Sequence, residues 1–236
     1  MLFVAGVVAL NLYAIALVLL RAAVYRTRLY RPMLWNVWLS VLPILILILG
    51  MLLAALVGQI DGRLAPPALV LSGIVWLLLL PNAGYLITEL NLSHRDEDDP
   101  VPLWYDLILG ITLAMSGVVN TVVNVLLVHV FVSLAVFGDE VAAVNRPESW
   151  IAVAAVLLLL GFGMYLGRYL RLNSWDVRHP VAFARKAAAH FRIRGNLLAC
   201  VGFSLTYALF IGLIYVIIAG LVLGTFEALE AVRASA

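Results

Sequence analysis

Six long apolar runs, at about residues 2–20, 34–57, 68–89, 104–136, 150–170 and 197–224, leave this chain few ways to fold. Roughly 20 apolar residues cross the hydrocarbon core of a bilayer as a helix, and each run reaches that length. The sequence therefore predicts an all-α fold, a bundle of six transmembrane helices forming one membrane domain over residues 1–236. Composition agrees. Only 12% of residues are charged and the mean hydropathy is +1.09, against about 25% charged residues in soluble proteins. No polar stretch is long enough to build a second, soluble domain.

Orientation follows from the cationic residues, because cytoplasmic loops carry the excess of Lys and Arg. The first run has no basic residue before it and four after it, Arg21, Arg26, Arg28 and Arg31, the reverse of a signal peptide. With the amino terminus outside, those four, Arg95 and the group Arg168, Arg171, Arg178, Arg185, Lys186, Arg192 and Arg194 all become cytoplasmic. That is 12 residues, against Arg63, Arg146 and Arg233 on the outer side. Both termini are expected outside, with the acidic loop of residues 90–102 in the cytoplasm. Trp35 and Trp38 open the second run where an aromatic belt would lie.

The densest polar interruption runs from Pro81 to Asp106. Pro81 removes a backbone donor and predicts a kink in the third helix. Asn82 follows it and can satisfy backbone groups that in lipid must find partners inside the protein. Three motifs then fall on the cytoplasmic ends of the third, fourth and fifth helices: Pro81 to Glu89, Trp104-Tyr105-Asp106, and Arg168-Tyr-Leu-Arg171-Leu-Asn173-Ser-Trp175-Asp176. Charges near hydrocarbon pair or face a cavity. Arg168 and Arg171 are thus expected to meet Asp106, Glu89 or Asp176.

Along the fourth helix Thr112, Ser116, Asn120 and Asn124 recur every four residues and share nearly one face. Such a stripe either knits helices together through hydrogen bonds or lines a polar path. His129, further along, reads as structural. The run Asp96-Glu97-Asp98-Asp99 has the oxygen chemistry of a Mg²⁺ or Ca²⁺ site, but contiguous loop carboxylates seldom converge on one ion and are usually solvated. Over residues 181–194, Arg185 and Arg192 continue a seven-residue step from Arg178, while Val181, Ala184, Ala188 and Phe191 share another face. This segment is either an amphipathic helix on the inner leaflet or an ordinary basic loop. Cys200, the lone cysteine, reads as a small buried hydrophobe.

The sequence has no glycine-rich phosphate loop, no paired-cysteine metal motif, no His-Glu-x-x-His and no Gly-x-Ser-x-Gly elbow. Gly163 and Gly167, and Gly220 and Gly224, have small-xxx-small spacing suited to close helix packing or dimerisation. The loop charge is explained by orientation and gives no support to nucleic-acid binding.

Taken in order, Leu80-Pro81-Asn82-Ala83-Gly84-Tyr85-Leu86-Ile87-Thr88-Glu89, Pro102-Leu103-Trp104-Tyr105-Asp106 and Gly167-Arg168-Tyr169-Leu170-Arg171-Leu172-Asn173-Ser174-Trp175-Asp176 resemble the bacterial membrane-protein family known as domain of unknown function 1361. Gly84 and Glu89 stand where Pro and Asp are expected to be common in that family. The resemblance implies a polytopic protein of a bacterial cytoplasmic membrane and brings no established activity.

Two classes of function fit these residues, with a scaffold role for the basic loops as a third. In the first, an enzyme or ligand-binding protein acts at the cytoplasmic interface on an anionic, lipid-like or small-molecule ligand. Glu89, Asp106 and His94 are then the acid/base or metal-ligand candidates. Asn82, Trp104, Tyr105, Arg168, Arg171, Asn173, Trp175 and Asp176 are the binding candidates, with Arg168 and Arg171 holding the anion through paired donors. In the second, a small permease or channel carries solute past Asn82 and the stripe of the fourth helix. The residues specify no cofactor and no particular metal. Expected partners are the bilayer, an anionic lipid and a second copy of the chain.

Overall fold

The structure is a computed structural model describing residues 1–90, 100–138, 141–170 and 180–234; residues 88–90, 141, 180 and 226–234 enter as backbone only. Most of the described residues are helical, and six segments among them are long and apolar enough to cross a membrane. The protein is thus an all-α, multi-pass membrane protein. It divides into two compact units, Met1–Asn124 and Val125–Ala236.

The first unit holds α1 (Leu2–Val24), α2 (Arg31–Ile60), α3 (Ala65–Leu79), α4 (Pro81–Gly84) and the part of α5 (Leu103–Phe137) that ends at Asn124. The helices α1 and α2 outrun the apolar runs that announced them. Arg21 is taken into the last turn of α1, and Arg31 with Pro32 opens α2. Long cationic side chains can lie along apolar surface with the charge held towards water, so a helix need not stop where hydropathy does. Pro at the second helical position leaves no intrahelical bond unmade. Trp35 and Trp38 are exposed, as an aromatic belt requires.

The third span breaks where Pro81 stands. Residues α3 and α4 give way to a 3-10 turn over Tyr85–Leu90, so the kink predicted from Pro81 becomes a change of helix type. The backbone accounting explains it. The Ala83 amide bonds to Leu80 O (3.0 Å), which deprives Leu79 O of its usual partner four residues on, and Asn82 Nδ2 donates to Leu79 O instead (3.0 Å). The broken segment lies hard against α5. A Cβ on Gly117 would meet Leu86 Cβ at 2.9 Å and Ala83 O at 3.0 Å. Beside it Leu17, Val18, Val37, Leu86, Tyr105 and Leu113 form a buried apolar cluster.

The second unit holds α5 from Val125, α6 (Pro147–Tyr165) with a π turn over Leu166–Leu170, α7 (Pro180–Arg192) and α8 (Asn196–Ala234). The helices α6 and α8 touch backbone to backbone: a Cβ on Gly161 would lie 2.6 Å from Ser204 O and 2.9 Å from Ser204 Cα. In lipid, where burying apolar surface between helices gains little, this close approach is how helices associate. Gly220 and Gly224 face open space in this unit, so the intimate contact uses Gly161. Cys200 is a buried free thiol.

Residues 181–194 do contain a helix, α7, and it is strongly amphipathic. Its less exposed side runs through Phe183, Ala187, His190 and Phe191, while Val181, Ala184 and Ala188 are exposed. Phe191 stacks on Tyr165 of α6 with ring centroids 6.3 Å apart. The side of α7 that carries Phe183, His190 and Phe191 therefore docks on protein, while most of the apolar face expected from the sequence, with Arg185 and Arg192, is exposed.

Candidate functional site

Asp106 sits in the first turn of α5, at 10% side-chain exposure, and Arg21 reaches it from the last turn of α1. The guanidinium donates through Nε to Oδ1 (2.8 Å) and through Nη2 to Oδ2 (3.4 Å), a two-pronged pair. Each charge also suits its helix end, an anion at an N-terminus and a cation at a C-terminus. Thr27 folds back to donate to Arg21 O (3.3 Å) and to accept from Nη1 (3.3 Å). Tyr105 donates its hydroxyl proton to Leu17 O (2.8 Å) and meets Tyr25 edge-on. Trp104 is 64% exposed. Arg21, which enters the sequence reading only through orientation, is thus one partner of Asp106; Arg171, expected there, lies outside the described residues.

Deeper in the same unit the stripe of α5 is buried, and its two amides reach other helices. Asn120 and Asn11 exchange amide hydrogen bonds at 2.9 Å in both directions. Asn120 Nδ2 also donates to Ser40 Oγ (2.9 Å), which donates to Ala83 O (3.2 Å) in the broken third span. Asn124 Nδ2 donates to Asn120 O (2.8 Å), and Asn124 Oδ1 accepts from Trp76 Nε1 (2.9 Å). Ser116 donates to Leu113 O. The amides of the stripe thus tie α1, α2, α3 and α5 together. Among its partners Asn11 and Ser40 were legible only as isolated polar residues in apolar runs, and Trp76 gave no signal.

In the second unit the polar residues gather where α6, α7 and α8 meet. Asn196 Nδ2 donates to His190 O (2.9 Å) and reaches His190 Nδ1 (3.3 Å). With Nδ1 accepting, the ring proton lies on Nε2, which faces the Tyr165 hydroxyl at 2.9 Å; that hydroxyl donates in turn to Asn196 O (3.2 Å). This tautomer is assigned from the hydrogen-bond network. Gly195, at φ +95°, makes the turn between α7 and α8 that an L side chain would strain. Tyr169 and Phe203 pack on Tyr165. Around this clamp Arg168, Arg185, Arg192 and Arg194 are exposed, and no carboxylate occurs between Asp176 and Glu227.

The sequence-predicted residues are thus distributed as follows. Asn82, Trp104, Tyr105 and Asp106 belong to the first unit, and Arg168 belongs to the second. Glu89 is described as backbone in the 3-10 turn. His94, Arg171, Asn173, Trp175, Asp176 and the acidic run of residues 96–99 lie outside the described residues. Among the described residues no group of three His, Cys, Asp or Glu side chains is placed to hold a metal ion.

No curated protein and no solved structure matches this chain. One family does, over residues 35–222, which takes in the three motifs and begins after the Asn11 and Arg21 of α1. That span is most of the chain, and the protein belongs to the family described as "Protein of unknown function (DUF1361)".

Proposed function

We propose that this protein binds anionic amphiphiles, lipids with a phosphate headgroup, at the cytoplasmic face of a bacterial inner membrane. The observation that carries this reading is the set of exposed cations of the second unit, Arg168, Arg185, Arg192 and Arg194. Arg185 and Arg192 stand on a helix whose other face is fixed by the Tyr165–His190–Asn196 clamp. Arginine offers a fork of donors that matches phosphate geometry, and a cationic segment beside a membrane span gains about 1 kcal/mol per residue near an anionic leaflet. Asp106 is already held by Arg21, so acid/base work by it would first require that pair to open. Binding is therefore preferred over catalysis. The stripe's amides are spent on one another and on neighbouring helices, which also favours binding over a permeation path.

Native mass spectrometry in mild detergent tests this. Wild type supplied with phosphatidylglycerol is compared with the triple variant Arg185→Ala, Arg192→Ala, Arg194→Ala, and with phosphatidylcholine as the zwitterionic control. Retained phosphatidylglycerol on wild type alone supports the reading. Equal retention of both lipids, or no loss in the triple variant, sinks it.

A further inference from the structure

The turn that joins α1 to α2 holds the one non-glycine residue with a positive φ among the described residues, Arg26 at +54°. The Tyr25 amide closes α1 on Arg21 O (3.3 Å). Arg26 follows it, where helices commonly end in a left-handed residue that is usually Gly and sometimes Asn. Elsewhere the chain obeys that preference. Gly138, just past α5, and Gly195, before α8, take positive φ at +100° and +95°. An L side chain crowds the following carbonyl oxygen in this region, so arginine at position 26 stores strain that glycine would not.

Nothing in the described fold offsets that strain. The Arg26 side chain is exposed, and no hydrogen bond or ion pair joins its guanidinium to the described residues. Arg28 and Arg31 are exposed and unengaged in the same way. Arg21, in the last turn of α1, is the cation that serves the helix end, and it grips Asp106. Orientation needs cations in the loop as a whole and no particular backbone conformation for any of them. The partner of Arg26 therefore lies outside the chain.

Trp35 and Trp38 mark the depth of this turn. Both are exposed near the start of α2, and indole rings sit at headgroup level in a membrane. Arg31 stands four residues nearer the helix end, about 6 Å, and long side chains of a helix lean towards its N-terminus. Arg26, Arg28 and Arg31 are thus carried to the phosphate layer. No acidic residue occurs before Asp61, which lies past the far end of α2, so their own stretch of chain does not neutralise them. A guanidinium fork fits phosphate oxygens in pairs. Three such forks favour a phosphomonoester, which approaches a double negative charge at neutral pH, over a singly charged diester.

We propose that the α1–α2 turn cradles the phosphomonoester headgroup of a lipid, with Arg26 as the central donor and Arg28 and Arg31 beside it. The site belongs wholly to the first unit and does not rest on the reading given to the second.

The full-length protein in mild detergent is followed by native mass spectrometry and, without added lipid, by thermal unfolding. The probe is dioleoyl phosphatidic acid; dioleoyl phosphatidylglycerol, a diester, and inorganic phosphate are the comparisons. Arg26→Gly should raise the unfolding midpoint by about 2–4 °C, as relieved strain does. It should also weaken phosphatidic acid binding about tenfold, as loss of a charge-assisted contact does. Arg26→Lys keeps the charge and the strain, so it should leave the midpoint unchanged and weaken binding about threefold through loss of the fork. The triple variant Arg185→Ala, Arg192→Ala, Arg194→Ala should keep the phosphatidic acid adduct, so the two lipid readings fail separately. Unchanged binding in Arg26→Gly would leave Arg26 to orientation and overturn the proposal. A midpoint that does not rise in that variant overturns it too, since the side chain would then serve the fold. So does equal retention of phosphatidylglycerol, which is diffuse charge attraction, or loss of the adduct in the triple variant, which puts it on the second unit. Displacement of the lipid by millimolar inorganic phosphate would make the site one for the free ion and also overturns it.

Discussion

Asn11 of α1 and Asn120 of α5 face each other as a reciprocal amide pair, each donating to the other's carbonyl oxygen at 2.9 Å. The second proton of each amide is also placed, on Val7 O and on Ser40 Oγ. This pair is the centre of the first unit's polar network. It explains why two amides are tolerated inside apolar spans: each supplies what the other lacks, and water is not needed.

Removing one member leaves the other unsatisfied, whereas removing both does not. Asn120→Leu is expected to lower stability by about 2 kcal/mol, since it strands Asn11 and Ser40 together. Asn11→Leu should cost less because Asn120 keeps Ser40. The double variant should be less destabilised than the sum of the singles, a coupling of about 1 kcal/mol in a double-mutant cycle read by thermal unfolding in detergent. Strict additivity would mean that the two amides do not interact.

The Arg21–Asp106 pair is partly shielded, at 24% and 10% side-chain exposure. It should be worth more than an exposed pair and less sensitive to salt. Asp106→Asn is expected to cost about 1–2 kcal/mol, and the cost should be smaller when Arg21 is already Gln. If Asp106→Asn is as harmful in the Arg21→Gln background as in wild type, Asp106 serves some other group. A loss of phosphatidylglycerol retention in well-folded Asp106→Asn would move the binding site towards the first unit.

Architecture was open to sequence reading because lipid imposes a length and a hydropathy on every span, and Pro81 a break. Partners were not. Asp106 was legible as a charge that needs a counter-charge, but Arg21 stands 85 positions away in a basic loop pattern that orientation already explained. The four-residue step of Thr112, Ser116, Asn120 and Asn124 showed a face, while the choice between packed helices and a path depended on Asn11, Ser40 and Trp76, one or two polar atoms each in long apolar runs. The amphipathic period of α7 was legible, but which side would meet protein was decided by Tyr165, on another helix. His129 reads as structural in the sequence, but its ring partner, Tyr215, stands 86 residues on and gave no local signal.

Gly161 tests the packing of the second unit. A methyl group there must displace the main chain at Ser204, 2.6 Å away, and backbone cannot yield as a side chain can. Gly161→Ala should cost about 1–3 kcal/mol through overpacking. Gly220→Ala, with open space around its Cβ position, should be neutral or slightly stabilising through helix propensity. Equal effects from the two substitutions would remove the case for a close α6–α8 crossing.

Thiol labelling separates packed helices from a path along α5. Ser116, Asn120 and Asn124 are fully buried, and their polar atoms are occupied by Leu113 O, Asn11, Ser40 and Trp76. In a Cys200→Ser background, single cysteines at positions 116, 120 and 124 should stay unmodified by a charged, water-soluble maleimide. A cysteine replacing the exposed Ala184 on α7 should react readily and serves as the positive control. Denaturation in detergent should then expose all of them. Native-state labelling at 120 and 124 as fast as at 184 would mean that water enters between α1, α2 and α5. The reciprocal amide pair would then be one state of a gate, and the permeation reading would displace the binding one.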